Sequence, residues 1–151
     1  MPELNNILLV LGESESASRH EANLFRKGSW ELEKQSKQEM LTSAFVSIVQ
    51  NMNIPDEKVT KMLGVDGDFM EQLRNNKTTV ELKEQAGKGV AKFILAMDNL
   101  YHLVGQKQGE AVRWLNEENR AFENRCPIDV MTDDGGLEKV VTYLKESNNA
   151  H

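Results

Sequence analysis

Residues 113–136 read "RWLNEENRAFENRCPIDVMTDDGG", and this stretch decides what the chain can fold into. Its apolar residues follow neither one helical period nor the alternation of a strand. Ala111, Val112, Trp114 and Leu115 fit the inner face of a short helix that ends near Asn116. Pro127 suits the first turn of another short helix carrying Ile128, Val130 and Met131. Gly135 and Gly136 break the chain before a helix with Leu137, Val140, Val141 and Leu144 inward. Helices this short do not persist alone, so the spacing predicts a shared anchor. Trp114 is the expected one, a buried ring worth several CH₂ groups at about 0.8 kcal/mol each.

Upstream, from Gln38, the pattern is helical. Met40, Leu41, Ala44, Phe45, Ile48, Val49 and Met52 recur at three- and four-residue steps, which places them on one face. Asn53 and Ile54-Pro55 end that helix. Val59, Met62 and Leu63 share a face of a second helix, and Gly64 turns the chain. Asp66 is the expected cap of a third short helix carrying Phe69, Met70 and Leu73. A fourth helix is expected to start at Thr78, which has capping-box spacing to Glu81. It would run through Val80, Val90, Phe93, Ile94, Met97, Leu100, Tyr101 and Val104 to Gly105. Gly87 and Gly89 interrupt it, each costing about 1 kcal/mol relative to alanine; either another helix crosses closely there or the helix bends.

No sustained alternation and no turn joining two strand-like runs is present. The expected fold class is all-α: an N-terminal extension (residues 1–37), a helix-turn-helix-containing bundle (38–105) and a small C-terminal helical unit (106–151). Within the extension, Ile7, Leu8, Val10 and Leu11 either pack as a short helix or belong to a partly ordered arm.

A chain of 151 residues fits one domain or two small lobes. Its 39% apolar and 28% charged residues support a modest core and lie outside the range of disordered chains. With 18 basic against 24 acidic residues, a net charge of −6, unaided electrostatic binding to nucleic acid or an anionic membrane is disfavoured. The single cysteine, Cys126, excludes an internal disulfide and fits a reducing cytoplasm. The longest apolar run, Ile7–Leu11, is far short of the roughly 20 residues of a membrane span, and no basic residue precedes it as in a secretory signal. A cytoplasmic location without a membrane partner is expected.

Residues 53–76, "NIPDEKVTKMLGVDGDFMEQLRNN", have the spacing of a helix-turn-helix and resemble the Xre-like group of bacterial helix-turn-helix proteins. In such motifs the start of the second helix meets bases and phosphates. Here it carries Asp66, Asp68 and Glu71, opposed only by Arg74 and Lys77, the two residues available for DNA. Residues 38–105 hold seven basic and nine acidic residues. Carboxylates repel phosphates, so the isolated protein is expected to bind DNA weakly or not at all; the competing reading keeps the motif as a packing unit.

The C-terminal stretch resembles the toxin-binding domain of the Xre/MbcA/ParS antitoxin family. That family has Trp-Leu, an asparagine four residues after the leucine, an apolar residue three further on, and a Gly-Arg-x-Pro turn. An apolar-acidic-apolar-apolar helix, a glycine, and a last helix with valine and leucine four apart complete the pattern. This chain supplies Trp114, Leu115, Asn119, Phe122, Arg125, Pro127, Ile128, Asp129, Val130, Met131, Gly135, Val140 and Leu144 over roughly residues 98–145. Asn124 stands where the family has glycine, and asparagine is the non-glycine residue that best accepts positive φ. A second departure is the ending "KESNNAH", which lacks the glycine-containing tail with which members often block their toxin. The resemblance implies an antitoxin that masks a RES-domain, NAD-consuming toxin, often repressing its own operon. An acidic antitoxin suits a basic toxin cleft. The expected toxin contacts are Arg113, Arg120, Arg125, Asp129, Lys139 and Tyr143, in a chain expected to form a homodimer. The alternative is a stand-alone helix-turn-helix transcription regulator that dimerises through the fourth helix.

No catalytic, metal or cofactor-binding constellation is legible. His20, His102 and His151 share no ligand spacing. Cys126 has Arg125 beside it but no histidine nearby in sequence, and is read as a turn cysteine packing under Trp114. "DGD" at 66–68 fails as a calcium loop because Met70 occupies the third ligand position. Glu117-Glu118 and Asp133-Asp134 read as solvated surface.

Overall fold

The computed structural model describes the backbone of residues 27–150 and the side chains of residues 36–150. Ile7, Leu8, Val10 and Leu11 lie outside the described residues. Among the described residues the chain is all-α: α1 (Lys27–Asn51), α2 (Asp56–Leu63), α3 (Phe69–Arg74), α4 (Gln85–Leu103), α5 (Gln108–Asn116), a single 3₁₀ turn (Arg120–Phe122), α6 (Pro127–Val130) and α7 (Gly136–Asn149).

α4 is the hub. Val90, Phe93, Ile94, Ala96, Met97 and Leu100 have no exposed surface at all. α1 lies on it through Phe45, whose ring meets Phe93 edge-on at 5.5 Å, and through Met52, whose sulfur accepts the Tyr101 hydroxyl at 3.4 Å. Burial pushes the Tyr101 phenol above its ordinary pKa, so it remains a donor. α7 runs along α4 in the most extensive helix–helix contact. Near its C-terminal end, Asn148 donates from Nδ2 to the Asn99 carbonyl at 2.8 Å.

The same left-handed stop ends several helices. Asn53 (φ 57°), Gly64 (φ 68°) and Asn76 (φ 57°) each turn the chain, and the next amide bonds back to a carbonyl five residues earlier: Ile54 to Val49, Val65 to Thr60, Lys77 to Gln72. This satisfies carbonyls that a helix end otherwise orphans.

Four expectations need correction. α1 begins at Lys27, ahead of Gln38, because "KGSWELEKQSK" is rich in good helix formers that carry no apolar period to signal them. Met40, placed on its inner face, is 46% exposed, whereas Leu41 and Phe45 face in. The N-cap of α3 is Asp68 rather than Asp66; the Asp66 carbonyl closes the preceding turn by accepting from Phe69 N at 3.1 Å. α4 starts at Gln85, with no capping box at Thr78. The amide of Val80 instead donates to Thr42 Oγ1 of α1 at 2.8 Å, and Val80 is buried. A long-range bond plus a buried side chain outweighs a local cap worth about 1 kcal/mol.

That loop explains the two glycines. A Cβ at Gly87 would stand 1.7 Å from the Glu81 carbonyl oxygen, whereas at Gly89 it would meet only the Leu63 Cδ2 methyl of α2, at 2.8 Å. Backbone cannot yield as a methyl can. Gly87→Ala should lose roughly 2–3 kcal/mol in urea unfolding through overpacking. Gly89→Ala should stay within about 0.5 kcal/mol, since a helix-propensity gain of about 1 kcal/mol offsets the displaced methyl.

α2 and α3 are braced to each other. Arg74 donates to both carboxylate oxygens of Asp56, Nη1 to Oδ2 at 2.9 Å. These hydrogen bonds hold the Asp56 carboxyl below its ordinary 3.8, against the opposing effect of partial burial. A depressed folded pKa contributes stability above the unfolded value, lost as pH falls through the folded one. Below about pH 4, wild-type stability should fall more steeply than that of Asp56→Asn. The difference, measured by urea unfolding against pH, should be at most about 0.5 kcal/mol after solvent screening.

Candidate functional site

The C-terminal unit is built on two adjacent residues that divide the work. Neighbours on a helix lie about 100° apart, so Leu115 shares the inner face of α5 with Ala111, and both are fully buried. Trp114 is turned to the flank of that face and is half-buried. The expectation of a wholly buried indole is therefore corrected: leucine enters the core and tryptophan covers its edge. The indole stacks on Tyr143 of α7, centroids 6.2 Å apart and planes 18° apart. Phe122 meets Trp114 edge-on at 6.2 Å and Tyr143 at 5.1 Å. Each aromatic pair adds about 0.5–1.5 kcal/mol beyond its buried area, and together the three rings join α5, the 3₁₀ turn and α7.

Asn119 organises the intervening loop. Its side chain accepts from Ala121 N at 3.0 Å, its amide donates to Arg125 O at 3.1 Å, and its carbonyl accepts from Asn124 N at 3.0 Å. Asn124 adopts φ 65°, as its place in the turn requires, but Glu123 also does, at φ 57°. Nothing in a glutamate's chemistry signals that conformation. Pro127 opens α6, where Ile128, Val130 and Met131 are buried. The Cys126 thiol points at the Asn116 carbonyl, 3.4 Å away, closing the end of α5. Gly135 takes φ 72°. Gly136 answers a second demand, because a Cβ there would stand 1.7 Å from the Val130 carbonyl oxygen. Val140 and Leu144 then pack with no exposed surface.

The expected contact residues divide into two groups. Arg125 turns back onto Asp133, pairing through both guanidinium nitrogens, which raises its own pKa and lowers that of Asp133. Asp133, read as plain solvated surface, is thus half of an exposed ion pair. Asp129 binds Lys58 of α2 at 2.9 Å. Arg113 lies between Glu110 and Glu117, at 3.4 and 3.9 Å. Arg120 and Lys139 are exposed, and among the described residues no carboxylate lies within ion-pair distance of either. Tyr143 belongs to the ring cluster and is half-buried. The Lys58–Asp129 and Arg125–Asp133 pairs carry no periodic signal in the sequence, since the first joins two helices far apart in the chain and the second spans α6 and the turn after it.

On the α2–α3 side, Arg74 is held by Asp56, while Lys77 is exposed just beyond α3. A shallow cavity of about 260 Å³ at the head of α3 is lined by Gly64, Val65, Asp66, Asp68, Phe69 and Gln72. Two of its six lining residues are carboxylates, which sets the local field against phosphate. Among the described residues no cluster of His, Cys, Asp or Glu could hold a metal ion. His102 is exposed, 3.7 Å from Asp98. No described helix is long and apolar enough to cross a membrane.

A comparison with curated proteins returns no match. Residues 99–146 match the family described as the antitoxin Xre/MbcA/ParS C-terminal toxin-binding domain. That span begins near the end of α4 and takes in the three-ring cluster, the Asn119 loop and nearly all of α7. Over these residues the chain carries a domain that matches the toxin-binding domain of the Xre/MbcA/ParS antitoxins.

Proposed function

We propose that the protein is the antitoxin of a two-gene system and neutralises a RES-domain, NAD-consuming toxin by binding it through residues of about 106–148. The observation that carries this reading is the contrast between engaged and available charges on the toxin-binding domain. Arg113, Arg125 and Asp129 have partners within the chain, whereas Arg120 and Lys139 stand exposed on the 3₁₀ turn and on α7, the two elements that hold Phe122 and Tyr143. Tyrosine and arginine are enriched among the residues that dominate binding energy at interfaces. Arg120, Lys139 and Tyr143 are the contacts we rank first, and Arg125 and Asp129 hold the platform's shape.

The division into residues 1–37, 38–105 and 106–151 is kept as a functional one, with residues 56–74 acting as a helix-turn-helix that packs rather than reads DNA. The salt-bridged Arg74 and the carboxylates at the head of α3 support this over operator binding. α4 directs its apolar residues into the chain, so a homodimer would form through another surface.

Co-expression with the product of an adjacent, growth-arresting gene tests the antitoxin reading. Wild type should restore growth and cellular NAD. Arg120→Glu combined with Lys139→Glu should weaken the isolated complex at least about tenfold, near 1.4 kcal/mol, with unchanged circular dichroism. Rescue that survives the double charge reversal would move the interface elsewhere, and failure of wild type to rescue would remove the reading. Gel shifts of the isolated protein on its own upstream DNA at about 0.15 M salt should show no specific complex.

A further inference from the structure

We propose that the Lys58–Asp129 ion pair is a latch coupling the α2–α3 pair to the α6 turn, so that whatever engages Asp129 loosens α2, and whatever moves α2 frees Asp129. Three observations converge on it. The Asp56–Arg74 pair links the start of α2 to the end of α3, and both helices bury their inner faces in the same core, Val59 and Leu63 of α2 with Met70 and Leu73 of α3. Left-handed asparagines, Asn53 and Asn76, bound that pair of helices on both sides. Lys58 then reaches out of the pair to a carboxylate of the toxin-binding domain, Nζ to Oδ1 at 2.9 Å.

The Asp129 end is fixed in place. Its amide donates to Cys126 O at 2.9 Å and its carbonyl accepts from Thr132 Oγ1 at 2.6 Å, so only the carboxylate is free to choose a partner. By contrast Lys61, the other lysine of α2, pairs with Glu57 of the same helix and transmits nothing. Lys58 and Asp129 have side chains 35% and 47% exposed. A pair that exposed is worth little, and the coupling it carries cannot exceed its own worth. The expected communication between the two ends is therefore between about 1.4- and 5-fold, and it weakens with salt. The inference does not depend on the partner being a toxin.

Amide hydrogen exchange on the full chain, at about 0.05 M and 0.5 M salt, reads it directly. Asp129→Asn should speed exchange at Thr60 to Leu63 of α2 by about 1.4- to 5-fold at low salt and less at high salt. Lys58→Met should do the same at Val130 and Met131. Lys58→Arg, which keeps charge and reach, should match wild type, and the buried α4 amides should be unchanged in every variant. An effect confined to the substituted element, or an equal acceleration across α4, would overturn the latch.

Discussion

Everything in this chain leans on the packing of α7 against α4. α4 alone would be an amphipathic helix with too much apolar surface. With α1 on one side and α7 along another, its six core residues from Val90 to Leu100 lose all contact with water. The short elements have no such reserve. α6 is four residues long and the 3₁₀ turn three, so their shape is borrowed from the α4–α7 pair and from the ring cluster that roofs it. The toxin-binding domain is for this reason continuous with the body of the molecule, its first matched residues lying inside α4 itself.

The arrangement follows from a consistent division between apolar and polar tasks. Apolar residues at helical spacing choose which faces meet. Polar groups then decide where elements start and stop: Thr42 draws Val80 onto α1, Asn119 closes the 117–126 loop on itself, and Gln108 donates to the Asn51 carbonyl at the end of α1. Among the described residues no buried side-chain nitrogen or oxygen lacks a hydrogen-bond partner. That completeness matters in a small core, where one unsatisfied group would cost about 1–3 kcal/mol.

Much of this was legible in the sequence, for a physical reason. Ile48, Val49, Val90, Phe93, Val140 and Leu144 carry helix periodicity, and periodicity survives because burial acts on every turn of a helix. The left-handed stops at Gly64 and Gly105 were equally readable, since few residues tolerate that conformation. What the sequence concealed was long-range and polar. Thr78 and Glu81 have the spacing of a cap, yet Thr42, far upstream, captured Val80 and moved the start of α4. Trp114 was the obvious anchor by size, but the angle between neighbouring helical residues gave the inner position to Leu115. Among the expected contact residues, Arg113, Arg125 and Asp129 have intramolecular partners that spacing does not reveal, and Arg120 and Lys139 were indistinguishable from them before the fold was known.

The order in which α4 and α7 are synthesised has a cost for the cell. As the chain emerges, α4 is complete well before Gly136, and the side of it that α7 covers then faces solvent. Until α7 arrives the protein presents an apolar groove and unroofed aromatic rings, the state that chaperones and proteases recognise. Its steady-state abundance would thus depend on how quickly α7 docks and how seldom it lifts away.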